Sequence, residues 1–353
     1  MDFKQRLDEL IAIVIREGAS DLHLSLGHHP TLRVASNLTP LVNLPVLTAK
    51  DTEGLLFEML PPEAHKVFQA EKEADFAYAT PSGTRFRGNA FYQQGVIGLA
   101  LRLIPGVIPN IEDLNLPLVL KEIARKEQGF FLLVGPVGQG KSTTLASMIN
   151  LINQERAEHI ITVEDPIEYV YPAGRSIIDQ REVHFDTKDF RTALKSLFRQ
   201  DVNVALIGEM REPETISTAV TAAETGHLIF STLHTNNAAQ TVDRIIDTFP
   251  AEQQKQIRVQ LAASLIGVFS QRLIPRISGG LIPAYELLLN NSAVGNLIRE
   301  GRSHEINVVI ETSSEDGMID MNRSLAELVQ KGEIASEQAY LHSFNPQGLQ
   351  RLL

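Results

Sequence analysis

The chain has 353 residues, 43% apolar and 21% charged, the balance of a water-facing globular protein long enough for two domains. Its net charge of −11 argues against a protein built to hold a polyanion, and the absence of cysteine excludes disulfides, thiolate chemistry and cysteine-ligated metal centres. No run approaches the roughly 18 uninterrupted apolar residues of a membrane-spanning helix, and the charged, amphipathic start lacks the layout of a secretion signal, so a cytoplasmic location is expected.

Phe3, Leu7, Leu10, Ile11, Val14 and Ile15 share one face of an opening helix, which Gly18 ends. Residues 21–26 alternate polar and apolar as a half-buried strand does; Thr31–Val34 reads as a second strand and Asn37–Pro40 as turn material. Helical stretches follow at 51–60 and 63–73, then strands of a meander at 76–80, 85–92 and 96–104. The first hundred residues therefore read as an α+β module with an antiparallel sheet. Pro105, Gly106, Pro109, Asn110 and Pro117 break any period, and a linker is expected here.

Beyond it, helices and short apolar runs alternate, the signature of an α/β sheet. Strands are expected at 130–134, 159–163, Val204–Ile207 and 227–232. Helices are expected at 189–200, with Phe190, Ala193, Leu194, Leu197 and Phe198 inward, and at 213–225, between Pro213 and Gly226. From residue 251 the pattern turns helical, at 252–273, 293–300, 322–331 and 336–343, with one strand at 282–289.

The stretch with the most definite chemistry is Gly135, Pro136, Val137, Gly138, Gln139, Gly140, Lys141, Ser142, followed by Thr143. It matches the Walker A pattern between an apolar strand and a helix, the context the pattern requires. Glycines allow positive φ and bring backbone N–H groups close to phosphates, and the helix N-terminus adds partial positive charge. Lys141 would reach the β- and γ-phosphates of ATP, and Ser142 would place its hydroxyl on Mg²⁺. The structural alternative is a glycine turn closing a βα unit beside a surface lysine.

Each expected strand of this part ends in polar groups, and open parallel sheets bind ligands at the carboxyl ends of their strands. Glu209 follows an apolar strand as a Walker B acid does and would hold Mg²⁺, directly or through water; otherwise it is a solvated strand-end acid. Glu164 occupies the equivalent place on another strand and would polarise the attacking water, while Asp165 suits a turn cap. His227 and His234 flank the last strand; a strand-end imidazole senses γ-phosphate charge or is structural. Arg85, Arg87 and Arg102 lie on strands of the first module, as surface charge or as arginine fingers reaching a neighbouring subunit's phosphates.

At these residues the chain resembles the PilT family, the retraction ATPases of type IV pili within the type II/IV secretion ATPase superfamily. The segments concerned are GASDLHLS (18–25), RFRGNAF (85–91), the Walker A loop, ITVEDPIEY (161–169, the Asp box), QREVH (180–184), LIGEMR (206–211, Walker B), AAETGHLIFSTLHT (222–235, the His box) and NLIREG (296–301). The resemblance implies a PAS-like N-terminal domain at 1–106, a linker at 107–117, a RecA-like P-loop ATPase core at 118–275 and a mainly helical region at 276–353. It implies a homohexameric ring with ATP between one subunit's RecA-like domain and the next subunit's N-terminal domain. Glu164 would be the catalytic carboxylate, Glu209 the Walker B acid, His227 and His234 the His-box residues, and Arg87 and Arg102 candidate fingers. The implied partner is the inner-membrane platform protein at the pilus base, where the motor would sit peripherally and drive pilus disassembly.

Three departures stand out. A basic residue that the family links to retraction is Gly295 here, and glycine within a helix costs about 1 kcal/mol relative to alanine. The Asp-Pro-Asp before the Walker B strand is Asp201-Val202-Asn203, and GSGKST is residues 138–143 with Gln139 in place of serine. The first motivates an alternative, an accessory PilU-like ATPase working with a paralogous motor. A RecA-like nucleic-acid translocase is the alternative from another class, and the acidic balance speaks against it.

Overall fold

Asp2 accepts hydrogen bonds from the backbone N–H groups of Lys4 and Gln5 and starts α1 (Phe3–Arg16), which buries Leu7, Leu10, Ile11 and Val14. The computed structural model describes residues 2–34 and 37–353, apart from the side chains of residues 62 and 63. It divides into two units, one ending at Val107 and one running from Ile108 to Leu353.

In the first unit α1 is followed by β1 (Asp21–Leu24), β2 (Thr31–Val34), β3 (Asn37–Pro40), α2 (Ala49–Met59), α3 (Pro62–Glu71), β4 (Glu73–Ala79), β5 (Arg85–Gln93) and β6 (Val96–Ile104). The six strands form one antiparallel sheet in the order β3-β2-β1-β6-β5-β4. Alternation sends Leu22, Leu24, Phe86, Leu99 and Leu101 into a core with α1 and α2. Asn37–Pro40, expected as turn, is a strand: all four residues are exposed and pair only with β2, so polar residues and a proline are tolerated at this edge.

The second unit runs α4 (Val119–Ala124), β7 (Gly129–Val134), α5 (Lys141–Glu155), β8 (His159–Glu164), β9 (Ile177–Glu182), α6 (Phe190–Leu197), β10 (Val204–Ile207), α7 (Pro213–Glu224), β11 (Leu228–Leu233), α8 (Ala238–Asp247) and α9 (Ala251–Ser264). It continues through β12 (Leu265–Pro275), β13 (Leu281–Leu289), α10 (Ser292–Glu300), α11 (Ile306–Thr312), α12 (Met321–Gln330), α13 (Ser336–His342) and α14 (Pro346–Gln350). The sheet order is β13-β12-β7-β11-β10-β8-β9, parallel throughout except for the β12–β13 pair. Phe130, Leu132 and Val134 pack with residues of α6 to α11, while Phe131 and Leu133 pack with α4 and α5. Burial on both faces explains why β7 is an unbroken apolar run.

Ile111 and Leu116 are buried with Leu120 and Phe131, so the later part of the expected linker packs into this unit. The helix expected over 252–273 ends at Ser264, and the chain continues as β12. This strand is mostly buried on both faces and shows no polar–apolar alternation; at Gly267 a Cβ would lie 2.3 Å from the Leu288 carbonyl oxygen, which leaves room for glycine alone. The boundary expected at 275/276 falls between two paired strands, so residues on either side of it share one sheet. β9, a largely polar strand that pairs only with β8, carries no strand signal in the sequence. No helix among the described residues is long and apolar enough to cross a membrane.

Candidate active site

The loop from Gly135 to Gly140 leaves the carboxyl end of β7 and delivers Lys141 to the first turn of α5. Gly135, Gly138 and Gly140 have φ of +141°, +78° and +76°, which favours glycine at each. The first three N–H groups of α5 (Lys141, Ser142 and Thr143) have no acceptor four residues back within the helix, the usual condition for anion binding. Lys141 is buried, and its Nζ donates to the carbonyl oxygens of Gly135 (2.7 Å) and Pro136 (2.9 Å) and lies 3.3 Å from Nδ1 of His234. Burial lowers its pKa to about 8. The ammonium is therefore held over the loop by groups that a phosphate can replace.

Register brings the acids to the same edge: Val163 of β8 pairs with Ile207 of β10, which pairs with Ser231 of β11, and Val134 of β7 pairs with Leu233. Glu164, at the end of β8, is buried. Its Oε1 accepts from the Thr162 hydroxyl (2.6 Å) and from Gln180 Nε2 (3.4 Å), and its Oε2 from the Glu168 N–H (3.5 Å). Burial pushes its pKa up to about 7 against these hydrogen bonds. Glu209 is partly exposed and forms an ion pair with Arg211 at 2.8 Å. Gly208 before it donates its N–H to the Val163 carbonyl and accepts the Thr232 hydroxyl, which ties together the ends of β8, β10 and β11. A cavity of about 410 Å³ beside them is lined by Glu209, Arg211, His234, Gln240 and Arg244, among others.

The two histidines separate. His234 follows β11 at the carboxyl edge, where burial and then the Lys141 charge lower its pKa; a neutral ring accepts from Lys141 through Nδ1. His227 precedes the same strand, at the opposite edge of the sheet. Its Nδ1 lies 2.9 Å from the Ala222 carbonyl, and the ring stands edge-on to Phe198. The structure thus does not bring His227 to the loop of its own chain, because six extended residues span about 20 Å.

Arg87 and Arg102 belong to the first unit, where they face one another across β5 and β6. Arg102 Nε donates to Asp21 at 2.9 Å. Arg87 is exposed and has no ion-pair partner among the described residues. Arg85 is partly buried on the same strand, its Nε without a hydrogen-bond partner among the described residues.

Residues that sequence reading missed complete the second-unit site. Gln180 of β9 bonds Glu164, donates to the Tyr169 carbonyl (2.7 Å) and accepts from the Tyr171 N–H (3.2 Å), so it holds the Asp-box turn against the acid. The Thr143 hydroxyl lies 2.8 Å from the Tyr169 hydroxyl. Gln180 stood in a quoted motif, yet only the register of β9 against β8 gives it a task.

The profile of the family described as "Type II/IV secretion system protein" matches residues 111–333. A Pseudomonas aeruginosa protein named "Type IV pilus retractation ATPase PilT" is 43% identical over 333 residues, covering 94% of this chain and 96% of its own. From the same organism, "Type IV pilus ATPase PilU" is 38% identical over 347 residues, covering 98% of this chain and 91% of its own. A crystal structure described as the pilus retraction motor PilT with bound ADP superposes with a TM-score of 0.92 at 43% identity, covering 97% of this chain and 98% of that one. On a family match over residues 111–333 and on sequence identity and fold shared over nearly the full length, the chain belongs to the type II/IV secretion system protein family and, within it, to the PilT family of ATPases.

Proposed function

We propose that this protein is an ATP-hydrolysing motor that powers type IV pilus retraction. The observation that carries the reading is the gathering of Lys141, Glu164, Glu209 and His234 at one sheet edge, in a chain 43% identical to a protein named for pilus retraction. Lys141 exchanges its loop carbonyls for the β- and γ-phosphates of ATP, and the N–H groups opening α5 hold the remaining oxygens. Glu164 takes a proton from the attacking water; a carboxyl with a pKa of about 7 is matched to that task at neutral pH. His234, neutral against Lys141, is placed to register the presence of the γ-phosphate.

Ser142 and Glu209 would hold Mg²⁺, which supplies charge neutralisation at the phosphates when bound. The donors fit in kind: a hydroxyl and a carboxylate are hard oxygen ligands, which suit an ion bound largely through phosphate and water. Glu209 exchanges its ion pair with Arg211 for that role.

We infer that residues 1–106 form a PAS-like domain and that the RecA-like core begins earlier and ends later than the expected 118–275, since Ile111 and Leu116 pack into it and β13 pairs with β12 in its sheet; the linker is correspondingly shorter than 107–117, and the C-terminal region is the helical part of 276–353. The working form is a homohexameric ring in which the first domain of one subunit completes the site of the next. Of the candidate fingers, Arg87 suits this role better than Arg102, which Asp21 already engages. The partner is the inner-membrane platform of the pilus machine, met from the cytoplasmic side; no nucleic acid is expected.

The accessory, PilU-like reading rests on Gly295. In α10 this glycine is buried, and a Cβ there would meet the Arg299 guanidinium at 3.4 Å, so its conformation does not require glycine. The lower identity to PilU, 38% against 43%, favours the retraction motor itself. Deleting the gene in its host and counting pili tests the proposal: more and longer pili without twitching support retraction, and loss of pili contradicts it. Restored retraction only alongside a second ATPase would favour the accessory role.

A further inference from the structure

Two residues of β12, Gln271 and Leu273, lie against the phosphate-binding loop. A Cβ on Gly135 would lie 2.5 Å from the Gln271 carbonyl oxygen, and one on Gly140 would lie 3.0 Å from Gln271 Nε2 and 3.3 Å from a methyl of Leu273. Gln271 is buried; its Nε2 donates to the Gln139 carbonyl at 2.8 Å, and its Oε1 accepts the Thr144 hydroxyl at 2.8 Å. The bond is returned from the loop: Gln139 Oε1 accepts the Leu273 N–H at 2.7 Å. Gln139 stands where the related pattern has serine, whose hydroxyl lies on a side chain two atoms shorter.

We propose that Gln139 and Gln271 are positioning residues that clamp the glycine-rich loop onto β12 and so preform the phosphate cradle before nucleotide arrives. The inference rests on the nucleotide-binding reading given above. A loop with glycine at three of its six positions samples many conformations when unrestrained, and ordering it on binding lowers affinity. The clamp moves that ordering into folding. It also joins the cradle to the chain beyond His234, because Ser270 Oγ donates to the Asn236 carbonyl (2.7 Å) and Arg272 Nη2 donates to Asn236 Oδ1 (2.9 Å).

The test measures dissociation of a fluorescent ADP from the full chain and from Gln139→Ser, which restores the family residue, and Gln139→Met, which keeps volume without an acceptor. Both variants should bind about three- to tenfold more weakly, the loss expected for one neutral hydrogen bond, mainly through faster release. KM for ATP should rise by more than kcat falls, and the nucleotide-free variants should melt within a few degrees of the parent. Affinity in both variants within about 1.5-fold of the parent overturns the clamp. So does full affinity in Gln139→Met alone, which would assign the contact to packing. A parent chain that binds no nucleotide, or a Lys141→Ala variant that binds it equally well, would instead remove the underlying reading and the clamp with it.

Discussion

The two edges of the seven-stranded sheet handle polar side chains in opposite ways. At the amino edge, His159 lies between the Asp179 carboxylate (3.0 Å) and the carbonyls of Gln200 and Asp201; burial works against its charge, but these partners outweigh burial and raise its pKa. Asn203 accepts the His159 N–H through its side chain at 2.8 Å, and His227 is held by the Ala222 carbonyl. At the carboxyl edge, burial disfavours the charged forms of Lys141 and Glu164 and opposes protonation of His234. Groups with fixed partners stabilise a conformation, whereas groups held away from their preferred charge state gain most from an anionic ligand or a proton transfer. The departure at Asn203 is explained on the same terms, since an amide oxygen accepts that N–H as a carboxylate would.

The largest effect separating the edges is expected from Lys141→Ala. It should abolish measurable nucleotide binding, and hydrolysis with it, as read by fluorescent ADP titration and phosphate release. Next, His234→Ala should lower turnover about tenfold or more, while His227→Ala should change it less than about twofold and lower Tm by a few degrees. Equal effects on turnover would erase the distinction between the edges. Thr162→Val removes a hydrogen bond that holds the Glu164 pKa down, so the rise of kcat/KM with pH should move to higher pH, with activity several-fold lower at pH 7 and recovered near pH 9.

A further effect concerns stability. Glu164 titrates at about 7 in the folded chain against an ordinary value of 4.5, so its contribution is present below 4.5 and lost as pH rises through 7. Glu164→Gln should therefore be more stable than the parent at pH 9, by on the order of 3 kcal/mol, with the difference shrinking toward pH 4.5 in thermal or denaturant unfolding.

Most of the site is legible in the sequence, because a parallel strand buried on both faces is a bare apolar run and the residue after it falls at the ligand edge. Glu164, Glu209 and His234 are found that way, as is Lys141 from its loop. The same burial hides β12: without alternation Leu265–Pro275 reads on as helix, and Gln271 disappears into it. Gln180 is hidden for the opposite reason, on an edge strand too polar to stand out. His227 shows the limit of motif reading, since one motif spans both ends of a strand and only one end meets the loop.

The most direct test of the account follows ATP hydrolysis from pH 5.5 to 9 in the parent and in Glu164→Gln, with fluorescent nucleotide binding measured in parallel. Parental turnover should rise through about pH 7, following the Glu164 carboxyl, and the variant should bind nucleotide but hydrolyse it about 10²- to 10⁴-fold more slowly at every pH. A variant that binds and hydrolyses ATP at near-parental rates, with the same pH profile, would contradict the assignment of Glu164 and the central claim that this sheet edge is where hydrolysis takes place.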